Sequence, residues 1–190
     1  MGSKLLHSFC VISICFLFFS CETKEEKITK IGNLQVNEKS YTLDKALVQD
    51  WGKYQGFDES YEGHHIILGF FSPEATLHLT DDGEVDSISG TGHAAQFELF
   101  ADHPQDIASQ SFTLSGEYVP GTYSFGIIYT DFFFDTGSIW DGEFVQAGDL
   151  ILNIDEESIA LWAELKLPEG DTAVIEYLGD YLFLEHEADN

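Results

Sequence analysis

Arginine is absent from this chain, and basic residues of any kind are few. Eight lysines stand against 34 aspartates and glutamates, for a formal net charge of −26 over 190 residues. A nucleic-acid partner needs Lys and Arg to displace counterions from phosphate, so that class of partner is excluded. The same shortage argues against lying flat on an anionic lipid surface. Thiols are scarce too. Cys10 and Cys15 fall inside an N-terminal apolar run, and none follows Cys21. A chain that loses the run has no second thiol for Cys21, so its fold depends on its own apolar core. Also missing is a comfortable membrane-spanning run. Leu5 to Phe19 is too short and carries His7, Ser8 and Ser13, where a spanning helix needs about 20 mostly apolar residues.

What the N-terminus does have is Met-Gly-Ser-Lys, the apolar run, then Ser20-Cys21. One Lys, an apolar core and a small residue before the cleavage point are the parts of a signal peptide. Leu17-Phe18-Phe19-Ser20-Cys21 resembles the lipobox of bacterial lipoproteins, with Phe18 where that pattern prefers Leu and Phe19 where it prefers something smaller. The resemblance implies cleavage after residue 20 and acylation of Cys21. An ordinary secretory signal with an incidental Cys, or an uncleaved anchor, are the competing readings. Each buried methylene is worth about 0.8 kcal/mol, so two or three acyl chains hold a protein on a membrane essentially permanently.

Residues 21–30 then read as a charged tether, with Ile28 as its one apolar residue after Cys21. Lys24-Glu25-Glu26 resembles the acidic signal that places lipoproteins of Bacteroidota on the cell surface; a plain hydrophilic spacer reads the same way. The expected localisation is the cell envelope, anchored to the outer membrane and facing outward, with a periplasm-facing position as the alternative. Seven of the eight lysines and all 34 acids follow residue 20. That charge is a solubilising coat, or an adaptation to salty surroundings where screening relieves self-repulsion.

From residue 31 to 190 the pattern is β, and the expected fold is a single all-β domain, an antiparallel sandwich or barrel of about eight to ten strands. Ser158 to Leu167 alternates over ten residues, with Ile159, Leu161, Ala163, Leu165 and Leu167 on one face. Thr122 to Thr130 repeats the pattern with Tyr123, Phe125, Ile127 and Tyr129. So do Ala95, Phe97 and Leu99, and Leu150, Leu152 and Ile154. His64 to Phe71 is apolar on both faces and reads as a central strand. Asp44 to Trp51 fits either a short capped helix or an irregular strand. Turn chemistry separates these runs. Asp81-Asp82-Gly83-Glu84 joins two short strands, and Val119-Pro120-Gly121-Thr122 has Pro and Gly where a type II turn wants them. Leu167-Pro168-Glu169-Gly170 turns the long strand back, and Gly179-Asp180 precedes a last one.

Tyr41-Thr42-Leu43, Gln96 to Phe100, Pro120-Gly121-Thr122-Tyr123-Ser124-Phe125 and Tyr177-Leu178-Gly179-Asp180-Tyr181 together resemble the small all-β lipoproteins of Bacteroidota, a family of unknown function. The resemblance spans most of residues 31–187. It implies an all-β domain with a closing hairpin, and no chemistry.

Catalysis needs a constellation, and the sequence offers none, so the expectation is a protein that is not an enzyme. Cys21, once acylated, is no nucleophile, and there is no Gly-x-Ser-x-Gly elbow. Ser89-Gly90-Thr91-Gly92 reads as a loop between strands. A glycosidase needs two carboxyls about 5–10 Å apart in a cleft; with 34 acids some pair meets that by chance, so a glycan-active enzyme is a distant alternative. Asp81 to Asp86 fails the EF-hand spacing. Incidental Ca²⁺ binding suits so acidic a surface, but no cofactor or resident metal is expected. His64 and His65 are adjacent on a strand and point to opposite faces, so they cannot share one Zn²⁺. Of the other histidines, His78, His93, His103 and His186, only His78 or His93 could join one of that pair across strands, as a distant alternative.

Aromatics are the remaining lead. Trp162 sits on the polar face of the clearest strand, and Trp140 in a Gly- and Asp-rich stretch just after Phe132-Phe133-Phe134. Exposed rings on a β scaffold stack on sugars or form a protein interface, and rings covered by a loop or second layer are core. Two functions follow: a tethered binding module for a glycan or partner protein, and a structural envelope lipoprotein with no small ligand.

Overall fold

The computed structural model describes residues 30–55, 60–80, 84–103 and 107–186. The signal segment, Cys21, the tether up to Thr29 and the Asp81-Asp82-Gly83 turn lie outside the described residues. The described chain forms fourteen strands. β1 (Ile31–Val36) and β2 (Lys39–Thr42) make a hairpin, and β3 (Lys45–Gln55) pairs antiparallel with β4 (Ser60–Phe71). β5 (Thr76–Leu79) and β6 (Val85–Ser89) form a separate hairpin. Then come β7 (Thr91–Ala101), β8 (Gln110–Leu114), β9 (Thr122–Phe133) and the two-residue β10 (Glu143–Phe144). The chain ends with β11 (Ala147–Ile154), β12 (Ile159–Lys166), β13 (Thr172–Gly179) and β14 (Leu182–Glu185).

All strands but β5 and β6 belong to one sheet, in the order β14-β3-β4-β7-β9-β8-β11-β12-β13-β1-β2, with β10 also paired to β9. The sheet curls into a half-barrel. Five strands separate β4 from β13 in that order, yet the rings of Phe70 and Tyr177 lie 5.1 Å apart across the interior. Alternation fills that interior. β12 is buried at every second position, Ile159, Leu161, Ala163 and Leu165. Phe97, Leu99, Phe112, Ile66 and Leu68 are fully buried from other strands of the same curl, each contributing about 1.5–3 kcal/mol of burial. The Asp44 to Trp51 segment is strand from Lys45 onward.

The all-β expectation holds, and several details of it change. First, the sheet is mixed, because β8 pairs parallel with β9 and β14 parallel with β3. The strands also outnumber the eight to ten expected, since β2, β5, β10 and β14 have only two to four residues and show no alternation. Second, the residues 122–130 do not share one face. Glu98 pairs with Phe125 but Leu99 with Tyr123, so Ser124 is an extra residue bulged out of β9. Tyr123 therefore points into the half-barrel, where its hydroxyl donates to the Gly148 carbonyl at 2.9 Å. Phe125, Ile127 and Tyr129 face the opposite way. Third, no closing hairpin forms. After Gly179 the chain does not fold back on β13; β14 crosses to the other end of the sheet and joins β3.

The β5–β6 hairpin lies over the outer face of β3, β4, β7 and β9 and creates a second, smaller core there. Leu47, Phe71, Ala94, Ile127 and Tyr129 supply the sheet side; Leu77, Val85 and Ile88 supply the hairpin side. Its roots are tied. Lys45 Nζ donates to the carbonyls of Pro73 (2.7 Å) and Ala75 (2.6 Å) in the turn before β5. Ser72 donates its N–H to the His93 carbonyl at 2.9 Å, and its hydroxyl oxygen accepts from the His93 N–H at 3.1 Å. Gly90, the sole residue between β6 and β7, has φ +97°, and a Cβ there would lie 2.4 Å from the Glu74 carbonyl oxygen. Only glycine fits. The Pro120-Gly121 turn is the expected type II, with Gly121 at φ +84° and Thr122 donating to the Val119 carbonyl at 3.1 Å.

Candidate functional site

The outer wall under and beside the hairpin carries the two most exposed aromatic rings among the described residues, Phe133 and Trp140. The end of β9 folds back over it: Phe134 donates its N–H to the Gly90 carbonyl (2.9 Å), and the Gly90 N–H donates to the Asp135 carboxylate (2.9 Å). Of the Phe132-Phe133-Phe134 run, Phe132 and Phe134 turn into the second core, while Phe133 stays 63% exposed. Tyr129 and Phe132 have ring centroids 4.6 Å apart, and Phe132 meets Phe134 edge-on at 5.1 Å. Between these rings, the hairpin and the sheet lies a half-open cleft of about 180 Å³. Phe71, Ala94 and Gln96 form its floor; Ile88 on the hairpin and Gly137 complete its rim. Burial, and then the charge of Asp141, push the Tyr129 hydroxyl up to about 12, so it stays protonated at any ordinary pH.

Trp140 stands beside this region and is 68% exposed. It occupies a 3-10 turn, Ile139–Asp141, that Ser138 and Asp141 cap reciprocally. The Ser138 N–H donates to Asp141 Oδ2 at 2.8 Å, and the Trp140 N–H to Ser138 Oγ at 3.3 Å. The indole stacks on Phe144 at 5.7 Å with 19° between the planes, and Phe144 meets Phe125 edge-on at 5.4 Å. The ring is thus both held and wet.

Trp162 is 38% exposed on the outer face of β12. Its cross-strand neighbours are Ile151 on β11, itself 43% exposed, and Glu176 on β13. The two tryptophans do not share a concave platform. Trp140 belongs to the Phe144–Phe125 stack, and Trp162 to a separate row on the convex wall.

The histidines pair off instead of clustering. His64 Nδ1 lies 2.9 Å from both oxygens of the Asp50 carboxylate, which is 2% exposed and also accepts from the Gly52 N–H at 2.8 Å. In the tautomer that carries its proton on Nδ1, the ring donates to that carboxylate. The pair is half of a general-base arrangement, but no described hydroxyl or thiol bonds to it. On the opposite face, His65 Nε2 lies 2.6 Å from Glu98 Oε1, and the Ser124 hydroxyl donates to Glu98 Oε2 at 2.7 Å. The bond to His65 and the one from Ser124 outweigh burial and hold Glu98 below the usual carboxylate range. His78 bonds Ser89, His93 accepts from the Asp131 N–H, and His186 pairs with Glu84. His103 is exposed. Among the described residues no three His, Cys, Asp or Glu are grouped to hold a metal. No described helix is long and apolar enough to cross a membrane.

The cleft was not legible in the sequence, because Phe71, Ile88, Ala94, Gln96 and Phe134 come from separate segments. The signals available were Gln96, a polar position in an apolar strand, and the Phe run that had to face two ways. The fold and surface define an all-β half-barrel with a second aromatic core on its outer wall. Set against protein-family models, curated proteins and solved structures, the chain matches none.

Proposed function

We propose that this chain is a membrane-anchored lipoprotein whose β domain is a non-catalytic binding module. Acyl chains on Cys21 tether it to the outer membrane, facing outward, and the acidic segment after Cys21 gives it reach. The signal-like segment, the lone thiol after it and the charged spacer support the anchor. The single observation that carries the binding role is Trp140. A large apolar ring left in water is costly to keep there, yet this one is locked by the Ser138–Asp141 cap and backed by Phe144. A ring fixed in advance loses little entropy on contact and suits stacking on the C–H face of a sugar. Asp135, Asp141 and Glu143 lie close to it in the chain and supply acceptors for hydroxyls.

A second reading is a structural envelope lipoprotein, favoured by the Trp162–Ile151 pair. Two exposed apolar side chains sit side by side across β12 and β11, with Glu164 and Glu176 beside them. That suits an apolar contact with a cationic rim on a partner protein. A glycan array and an envelope pull-down with the purified full chain test both. Sugar binding lost in Trp140→Ala supports the module. No sugar binding, with a partner lost in Trp162→Ala, replaces it with the structural role. Cys21→Ala should move the protein out of the membrane fraction; persistence there overturns the anchor.

A further inference from the structure

Beyond the Trp140 surface, we propose that the cleft between the β5–β6 hairpin and the sheet is a binding site for one neutral, single-ring aromatic molecule bearing one hydrogen-bonding group, with Gln96 as its polar anchor. Size sets the first limit. An apolar cavity of about 150 Å³ holds one benzene, so a cleft of about 180 Å³ admits one ring and a small substituent, and no disaccharide. The walls set the second. Tyr129, Phe132 and Phe134 are tilted or edge-on to one another, which leaves ring faces and edges turned to the cleft for offset or edge contacts with a ligand ring.

Charge sets the third limit. Among the described residues no Lys, Asp, Glu or His lines the cleft, so an ion entering it would lose water and gain no partner there. Gln96 sets the fourth. Its backbone is committed to the ladder between Gly69 and Ile127, but its side-chain amide makes no hydrogen bond to any described residue while lining the cleft. An amide offers both a donor and an acceptor, which matches a phenolic hydroxyl on a single ring. Lys45 and Gly90 matter here as well, since they hold the hairpin that forms the outer wall.

The test uses the purified full chain, with p-cresol and toluene as probes that differ by one hydroxyl, read by NMR shifts of hairpin and β7 amides. The chain should bind p-cresol about tenfold more tightly than toluene, as one recovered hydrogen bond predicts. Gln96→Leu should erase that preference and keep toluene binding. Ala94→Leu, which fills the floor, should abolish binding of both probes. If Ala94→Leu fails to fold, Ile88→Trp closes the same cleft from the exposed hairpin and should do the same. Trp140→Ala should leave ring binding unchanged, which separates this site from the sugar-stacking surface. Absence of binding by either probe, or binding that survives both filling variants, overturns the proposal. A p-cresol preference that survives Gln96→Leu overturns the role of Gln96.

Discussion

Replacing Lys45 by Met tests whether the outer hairpin is held by one side chain. The ammonium donates to the carbonyls of Pro73 and Ala75 at 2.7 and 2.6 Å, with Ser72 at 3.5 Å as a weak third partner. Met keeps the apolar stem and removes the donors together with the positive charge, whose exposed pairing with Asp44 at 3.9 Å is worth little. Hydrogen bonds to a charged group contribute about 1.5–3 kcal/mol each when well shielded. Here the side chain is 35% exposed and water can reach the freed carbonyls, so the pair together is worth about 2 kcal/mol. In a domain of this size that lowers the unfolding midpoint by about 4–8 °C. The loss should be local. Hydrogen exchange of β5 and β6 amides should quicken more than that of β12, whose ladder is far from Lys45 in the sheet order. Calorimetry gives the first number and exchange mass spectrometry the second. An unchanged midpoint, or hairpin exchange no faster than that of β12, would refute the clip.

Glu98 is held below its unfolded carboxylate value, mainly by His65 and then by Ser124. The stability it adds is therefore full above about pH 4.3, the unfolded value, and is lost as pH falls through the lower folded value. Glu98→Gln should flatten the acid limb of a midpoint-versus-pH curve, and an unaltered limb would count against the pairing. Tyr123→Phe leaves the Gly148 carbonyl without its buried donor and should cost about 1–2 kcal/mol in denaturant titration; a neutral result would mean water replaces the hydroxyl. With 34 acids against eight lysines, raising salt to about 1 M should raise the midpoint by screening self-repulsion. An equal or lower midpoint at high salt would rule that out.

Local signals carried the fold as far as local physics reaches. The alternation of Ile159 to Lys166 and of Ala95, Phe97 and Leu99 reports burial directly, because each of these strands keeps one face on the interior throughout. The β9 bulge escapes such a reading. Tyr123, Phe125, Ile127 and Tyr129 keep perfect period two in sequence while the backbone slips by one residue at Ser124, which is invisible without the partner strand. The parallel pairs fail for a related reason, since β14 meets β3 across most of the chain and leaves no local mark in either segment. Trp140 and Trp162 were legible as rings out of place in polar surroundings. Their separation was not, because it depends on which strands lie between them.

The pairings of β1 with β13 and of β3 with β14 also set a timetable. A chain that emerges N-terminus first, from a ribosome or through a membrane pore, exposes residues 31–55 long before their partners at 172–185 exist in the same compartment. Until then β1 and β3 lack those partners, and the sheet has no correct end. Such long-range closure makes folding slow and late. The same arrangement keeps the domain open and threadable until nearly its last residue has passed, and a copy cut short before Thr172 would carry bare strands that invite degradation or aggregation.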